Sequence, residues 1–474
     1  MSIAELRSYI GGRSQIGSVT FDHIRPVDGK VIGQIFEAGS EGVDAATKLA
    51  YSAFQAHRKT PIHQRVTWLQ AAAAALTANA DDIAALISED VGKPIRNSRF
   101  EVRRGAEFLQ GCACALPQLN GDVLPLDSTA TGVGHFGFTQ RIPYGVVAGI
   151  TPFNAPVNLL VQKVGPAIAA GNAIIVKPAP AGTRTALKLA QLFEEAGWPT
   201  GICTVLTGDR ATASALVAHP LVRAVSFTGG TAGGDALARI TGAKKFVAEL
   251  GSNAANIVLA DADVDEAAKR IATAAFEASG QQCISAQRVL VQSSVVEQFV
   301  EHFVAAAKGM KCGRPDDPTT DVGPMVNKSS ADRVMAMCAD AIARGASYAL
   351  PPTQDNALVT PGIVCHVAPT ARLWQEEVFG PIALVAPFDT VDDALRLAND
   401  SPFGLQGSVF TRNLGAAFRF VEDFDVGALW INEASRFRLD LYPFGGVKQS
   451  GVGREGIRYA IDELSQIKFI GMRP

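Results

Sequence analysis

Between residues 145 and 249, short apolar runs alternate with helix-patterned segments, and no other feature of the chain limits its fold so strongly. The runs at 145–151, 173–177, 203–206, 224–228 and 246–248 have the length and composition of buried strands, while the segments between them repeat their apolar residues every three or four positions. Strands separated by helices predict a parallel sheet wound on both faces. Sheets of this kind bind ligands at the carboxyl ends of their strands, and a dinucleotide is the usual occupant.

A second series runs from 251 to about 430, with helices expected at 265–278, 295–308, 330–344 and 391–399, so a second α/β domain follows the first. A length of 474 residues agrees, since it exceeds what one core usually serves. Helical spacing at 45–54, 66–78, 80–91 and 99–113 predicts a helical layer before the first sheet. Residues 122–144 alternate polar and apolar positions, with Gly132, Gly134 and Gly137 as interruptions, which predicts a projecting ribbon of hairpins. The final run at 464–470 reads as an edge strand that pairs with this ribbon or with another subunit.

A net charge of -3 argues against a nucleic-acid footprint, and no basic run marks a membrane surface. The alanine-rich stretch at 71–75 is flanked too closely by charges to span a membrane. Met1-Ser2-Ile3-Ala4-Glu5 shows no secretory signal. Seven cysteines, without CxxC spacing, predict a reducing cytoplasm and no metal site. Apart from one of them, these cysteines, Cys112 and Cys114 included, read as small core residues.

The exception is Cys283, in Gly280-Gln281-Gln282-Cys283-Ile284-Ser285. Upstream, Asp263 can cap a helix over 264–279 with Ala267, Ile271 and Ala274 on one face, Gly280 ends it, and Arg288-Val289-Leu290-Val291 reads as a buried strand. The thiol therefore falls at a helix-to-strand junction, where catalytic side chains are often displayed. A free thiol with a pKa of about 8.5 is only a few per cent ionised at neutral pH, so a nucleophilic cysteine needs help from its neighbours. Glu249 ends an apolar strand in Val247-Ala248-Glu249-Leu250-Gly251, where poor solvation would raise its pKa and suit it to general-base work; pairing with Lys244 or Lys245 is the structural alternative. Asn154 lies between two prolines in Pro152-Phe153-Asn154-Ala155-Pro156, as a turn residue or as an amide donor to an oxyanion, a contact worth on the order of 3 kcal/mol in a barrier. Lys177 follows one strand, and Gly229-Gly230-Thr231-Ala232-Gly233-Gly234 opens a helix where backbone N–H groups can approach a pyrophosphate. The glycines do not form a GxGxxG fingerprint.

Taken together, the chain resembles the aldehyde dehydrogenase superfamily, through PFNAP (152–156), VKP (176–178), FTGGTAGG (227–234), ELGSN (249–253), GQQC (280–283), EEVFGP (376–381), SPFGL (401–405) and PFGGVKQSG (443–451). The motifs occur in family order over most of the chain, and the thirty-four residues from Glu249 to Cys283 also suit the family. The resemblance implies an α/β fold of two doubly wound parallel domains plus a small β oligomerisation extension. Residues 1–121 and 145–248 would bind the dinucleotide, 249–440 would form the catalytic domain, and 122–144 with 456–474 the extension of a homodimer or homotetramer.

For the chemistry, the resemblance implies that Cys283 attacks the aldehyde while the Asn154 amide and the Cys283 backbone N–H hold the oxyanion. Hydride passes to NAD or NADP, and Glu249 activates the water that hydrolyses the thioester. Cofactor contacts are implied for Thr151, Phe153, Lys177, Pro180, Gly229, Gly230, Thr231, Gly233, Gly234, Leu250, Gly251, Glu377 and Phe379. Two residues depart from the usual pattern: Gly230 replaces a common serine, and Pro180 stands where NAD-selective relatives carry glutamate, which removes repulsion toward a 2′-phosphate.

Arg104, Gln282 and Arg438 are the implied substrate contacts, and Arg96, Arg99 and Arg103 could share a helix face nearby. Guanidinium groups suit carboxylate, phosphate or sulfonate ends, and solvated surface arginines are the structural alternative. Gln282 and Ala155, where phosphate-specific relatives place larger or cationic residues, suggest a roomier and less cationic pocket. The nearest group by resemblance comprises lactaldehyde, non-phosphorylating glyceraldehyde-3-phosphate, phosphonoacetaldehyde and semialdehyde dehydrogenases, so a small polar aldehyde or semialdehyde is expected. A CoA-acylating dehydrogenase or cysteine thioesterase, and a non-catalytic scaffold of the same fold, are the competing readings.

Overall fold

The computed structural model describes residues 4–15, 17 and 19–474; Met1–Ile3, part of the stretch read for a secretory signal, lie outside the described residues. All five strands expected in the first series are present, as Val146–Thr151, Ala173–Pro178, Cys203–Val205, Val222–Thr228 and Lys245–Glu249. Each pairs in parallel with its neighbour, and Val146–Thr151 lies between Ala173–Pro178 and Val222–Thr228. The chain thus winds outward from Val146–Thr151 in both directions, and the point of reversal falls at the ends of the strands that carry Thr151 and Thr228, where sheets of this kind bind their ligands.

Alternate residues explain why helices cover both faces. Val147, Ile174, Val176 and Val205 pack on one side, while Val146, Ala148, Ile150 and Ile175 pack on the other. The sheet grows to eight strands by antiparallel additions, Ser8–Ile10 and Arg13–Gln15 at one edge and Gly451–Val452 at the other. A second sheet of seven strands carries Ala254–Val258 beside Ala286–Gln292, the strand that follows Cys283.

The helical layer is present as Gly39–His57, Ile62–Ala78, Ala80–Val91 and Ile95–Ala115; the third has the expected bounds and the other three are longer. Polar first and last turns carry no apolar stripe, so periodicity undercounts them. The ribbon departs more. Only Val123–Leu124 and Phe136–Pro143 are strands, and the residues between fold into short 3-10 turns at Leu126–Ser128 and Ala130–Gly132. Pro125 has no N–H to offer a ladder there, and its carbonyl instead accepts from Ser128 N at 3.2 Å. The closing strand, Ser465–Met472, pairs antiparallel with Phe136–Pro143 along its full length. A three-stranded sheet of Ala4–Leu6, Val31–Phe36 and Thr20–Ile24 escaped the sequence reading, because its strands are short and weakly alternating. No helix among the described residues is long and apolar enough to cross a membrane.

Candidate active site

The helix before Cys283 ends at Phe276, three residues short of the expected limit. Asp263 does cap its start, accepting from Glu266 N at 3.2 Å. Ala278, Ser279 and Gly280 then all take left-handed backbone angles, with φ of 53°, 60° and 63°. Such a run is strained for the two non-glycine residues and persists only where surroundings enforce it. Ser285 Oγ, at 3.1 Å from the carbonyls of both Ala274 and Ala275, and Ser279 Oγ, donating to Gly323 O at 2.7 Å, supply that enforcement. A Cβ on Gly280 would lie 2.1 Å from Gly380 O, so the turn passes where only glycine fits.

The turn delivers Cys283, half-buried, to a cavity of about 90 Å³ whose wall also carries Asn154, Gln282, Arg104 and Arg438. Glu249 ends its strand against the thiol, buried, with Oε1 lacking a partner among the described residues. Neither lysine of the structural alternative reaches it: Lys244 donates to Val217 O and His219 O, and Lys245 pairs with Glu463. Burial, then repulsion from Glu455, pushes the Glu249 carboxyl up to about 8. Burial also raises the Cys283 thiol well above its ordinary value, helped by the Glu249 charge and opposed by Arg438. Asn154 Nδ2 donates to Gln281 O at 2.9 Å, which aims the amide along the turn that carries the thiol.

Behind Glu249 lies a buried network that the sequence reading missed. Lys163 Nζ contacts Thr228 Oγ1 at 2.6 Å and Glu455 Oε1 at 3.2 Å, while Arg438 Nη2 donates to Glu455 Oε2 and Gln162 Oε1, both at 3.0 Å. The Arg438 guanidinium stacks 3.6 Å from the centre of the Phe444 ring. Burial favours the neutral Glu455 carboxyl, but the charges of Lys163 and Arg438 outweigh it and hold the pKa below its ordinary value. A signal existed: Asn158, Gln162 and Lys163 are polar residues within a helix, Asn158–Ala170, that is buried almost throughout.

The implied cofactor residues gather at the carboxyl ends of the first sheet. Lys177 is buried, and burial lowers its amine to about 8 against the pull of Asp209 and Glu37. Pro180 opens the short turn Pro180–Gly182. Gly230 precedes the helix Thr231–Thr241 and supplies no side-chain cap; a Cβ there would meet nothing within 4 Å. Gly234 has the opposite constraint, since its Cβ would lie 2.4 Å from Leu250 Cδ2. Thr231 Oγ1 is buried without a partner among the described residues. Glu377 comes from the second sheet's side, accepts from Ser252 N at 2.9 Å, and is raised by burial to about 7. A Cβ on Gly251 would touch both Thr231 Oγ1 and Glu377 Oε2, at 3.0 and 3.1 Å. Phe153 and Phe379 meet edge to face with ring centres 5.8 Å apart. An uncapped helix start with an orphaned hydroxyl, an unpaired lysine and a buried carboxyl fits a diphosphate flanked by two riboses.

The other arginines take the solvated alternative: Arg96 pairs with Asp321, Arg99 with Asp81 and Arg103 with Glu107, all three exposed and none of them lining the cavity. Arg436, which was not singled out, does line it, donating from Nε to Gln282 Oε1 at 2.9 Å. Cys114, expected in the core, is exposed, whereas Cys112 and Cys338 are buried.

Residues 14–470 match the model of the Aldehyde dehydrogenase family. A 3-sulfolactaldehyde dehydrogenase of Priestia megaterium is 39% identical over 429 residues, 90% of this chain and 90% of its own length. The solved structure of an NAD-dependent aldehyde dehydrogenase from Sinorhizobium meliloti superimposes with a TM-score of 0.94 at 32% identity, covering 99% of this chain and 95% of that one. That of an NADP-dependent glyceraldehyde-3-phosphate dehydrogenase from Bacillus halodurans C-125, complexed with NADP, gives 0.96 at 32% identity, covering 100% and 99%.

Proposed function

This chain belongs to the aldehyde dehydrogenase family, and on that premise we propose that it oxidises a small polar aldehyde or semialdehyde to the carboxylic acid with NAD or NADP, through a thioester on Cys283. The observation that carries this reading is the Glu249 carboxyl set against the Cys283 thiol, with Asn154 on the same cavity.

In its carboxylate form Glu249 takes the thiol proton, and the Arg438 charge stabilises the thiolate. Cys283 Sγ attacks the aldehyde carbon, and the Asn154 amide with the Cys283 N–H holds the resulting oxyanion. When bound, the nicotinamide cofactor supplies the acceptor for the hydride that leaves this carbon. Glu249 then removes a proton from the water that cleaves the thioester, releasing the acid and the free thiol. Lys177 and Glu377 would hold the two riboses, the Gly229–Gly234 segment the pyrophosphate, with Thr151, Leu250 and Gly251 lining the path and Phe153 and Phe379 beside the nicotinamide end. Pro180 presents no carboxylate to a 2′-phosphate, so both cofactors are accepted.

The test is an aldehyde panel with NAD and with NADP, followed at 340 nm. At least one small polar aldehyde should give kcat/KM of about 10⁴ M⁻¹s⁻¹ or more, within the ordinary enzyme range. Thioester hydrolysis without any aldehyde-dependent absorbance change would favour a thioesterase instead.

Residues 122–144 and 456–474 serve assembly in this reading. Ser465–Met472 is a sheet edge carrying exposed Ile467, Phe469 and Met472, and Ala428–Ile431 is another, next to exposed Leu414, Phe418 and Val421. A second copy docked on these edges would cover both. Sedimentation at micromolar concentration should show a dimer or a tetramer, and monomer alone contradicts the assignment.

A further inference from the structure

Four cations line the Cys283 cavity, and each already holds a carboxylate: Lys93 with Glu101, Arg104 with Asp440, Arg436 with Glu277, and Arg438 with Glu455. The most complete of these pairings is at Asp440. Its Oδ2 accepts from Arg104 Nε at 2.9 Å, and its Oδ1 from Arg104 Nη2 at 2.6 Å and Gln162 Nε2 at 3.2 Å, with Arg438 Nε 3.9 Å away. Two guanidinium groups and an amide around one carboxylate are what a protein builds for the charged end of a ligand. Here the anion is part of the chain.

We propose that Asp440 occupies the anion site between Arg104 and Arg438 and thereby sets specificity for aldehydes whose far end is uncharged and bears a hydroxyl. This rests on the dehydrogenase reading and narrows it. A substrate carboxylate, sulfonate or phosphate would have to displace Asp440 or sit beside it, and like charges at that range repel. The polar atoms left without partners here match a hydroxyl. Among the described residues, Arg438 Nε is a buried donor without a partner, and the Oδ1 atoms of Asn97, Asn154 and Asn158 on the same wall are buried acceptors without one. Asn97 cannot flip to change this, because its Nδ2 donates to Glu277 Oε1 at 2.5 Å. A hydroxyl donates and accepts at once.

The experiment compares kcat/KM for succinate semialdehyde and for 3-hydroxypropanal in the wild-type chain, Asp440→Asn, Arg104→Gln and the double variant. Succinate affinity of each protein is measured by calorimetry alongside. The wild type should favour 3-hydroxypropanal, and Asp440→Asn should raise the charged-to-neutral ratio and the succinate affinity by about tenfold or more. Arg104→Gln, which leaves Asp440 undercompensated, should lower the ratio, and the double variant should lose most of the gain. Aldehyde oxidation with an unmoved ratio and unmoved succinate affinity overturns the role of Asp440 and leaves the dehydrogenase reading standing. No oxidation by any protein, with succinate affinity still gained in Asp440→Asn, sinks the dehydrogenase reading alone. Should Asp440→Asn fail to fold, Arg104→Gln decides, since an unchanged or higher ratio there refutes the proposal.

Discussion

Replacement of Cys283 by serine is expected to lower kcat/KM for the best aldehyde by about 10⁴-fold or more, because the reaction then lacks its nucleophile. Oxygen replaces sulfur with little change of shape, so an unchanged unfolding midpoint would separate lost chemistry from lost folding. The environment sharpens the expectation. Burial and the neighbouring Glu249 carboxyl already resist a negative charge at this position, with Arg438 as the opposing cation. A thiol can still ionise when Glu249 takes its proton, whereas a hydroxyl, intrinsically a far weaker acid, cannot do so to a useful extent. Steady-state rates on the serine variant within tenfold of wild type would remove Cys283 from the reaction.

Glu249→Gln should reduce turnover by about 10²- to 10⁴-fold, the range over which positioned general bases act. Glutamine keeps the shape of the strand end but accepts no proton from the hydrolytic water. Because Glu249 also takes the thiol proton, acylation and hydrolysis should both slow, and reduced cofactor should appear without a fast burst. The wild-type pH profile carries the same information. The base works as a carboxylate, and burial together with Glu455 raises its pKa to about 8, so the rate should climb with pH up to that value and level off above it. Glu249→Gln should lose this limb. A variant that retained both turnover and the alkaline rise would assign the base to another group.

The first sheet was legible in the sequence because a parallel strand covered on both faces is a continuous apolar run: Val146–Thr151 and Ala173–Pro178 were found almost to the residue. The helix Val391–Asn399 was equally plain, with a capping box at Thr390 and Asp393 to mark its start. Motif order singled out Cys283, Glu249 and Asn154 as candidates, each near the point where an apolar strand or helix stops, and the structure brings them to one place. Local pattern was weakest where the chain's conformation answers to distant contacts. Ala278 and Ser279 continue a helical composition, yet Gly323, Gly380 and Ser285 hold them left-handed and end the helix early.

Side-chain pairing lay further out of reach. Arg104 and Asp440 are 336 residues apart in sequence, as are no two groups that periodicity could relate, and only the packed structure turns a candidate anion receptor into a neutralised one. Lys163 likewise gains its meaning from Thr228 and Glu455, which reach it from separate parts of the chain. Residue order determined which elements form and which reactive groups stand at their ends, since those depend on neighbours within a few positions. Charge balance around the thiol was decided by tertiary structure alone, because electrostatic energy follows distance through space and not separation along the backbone.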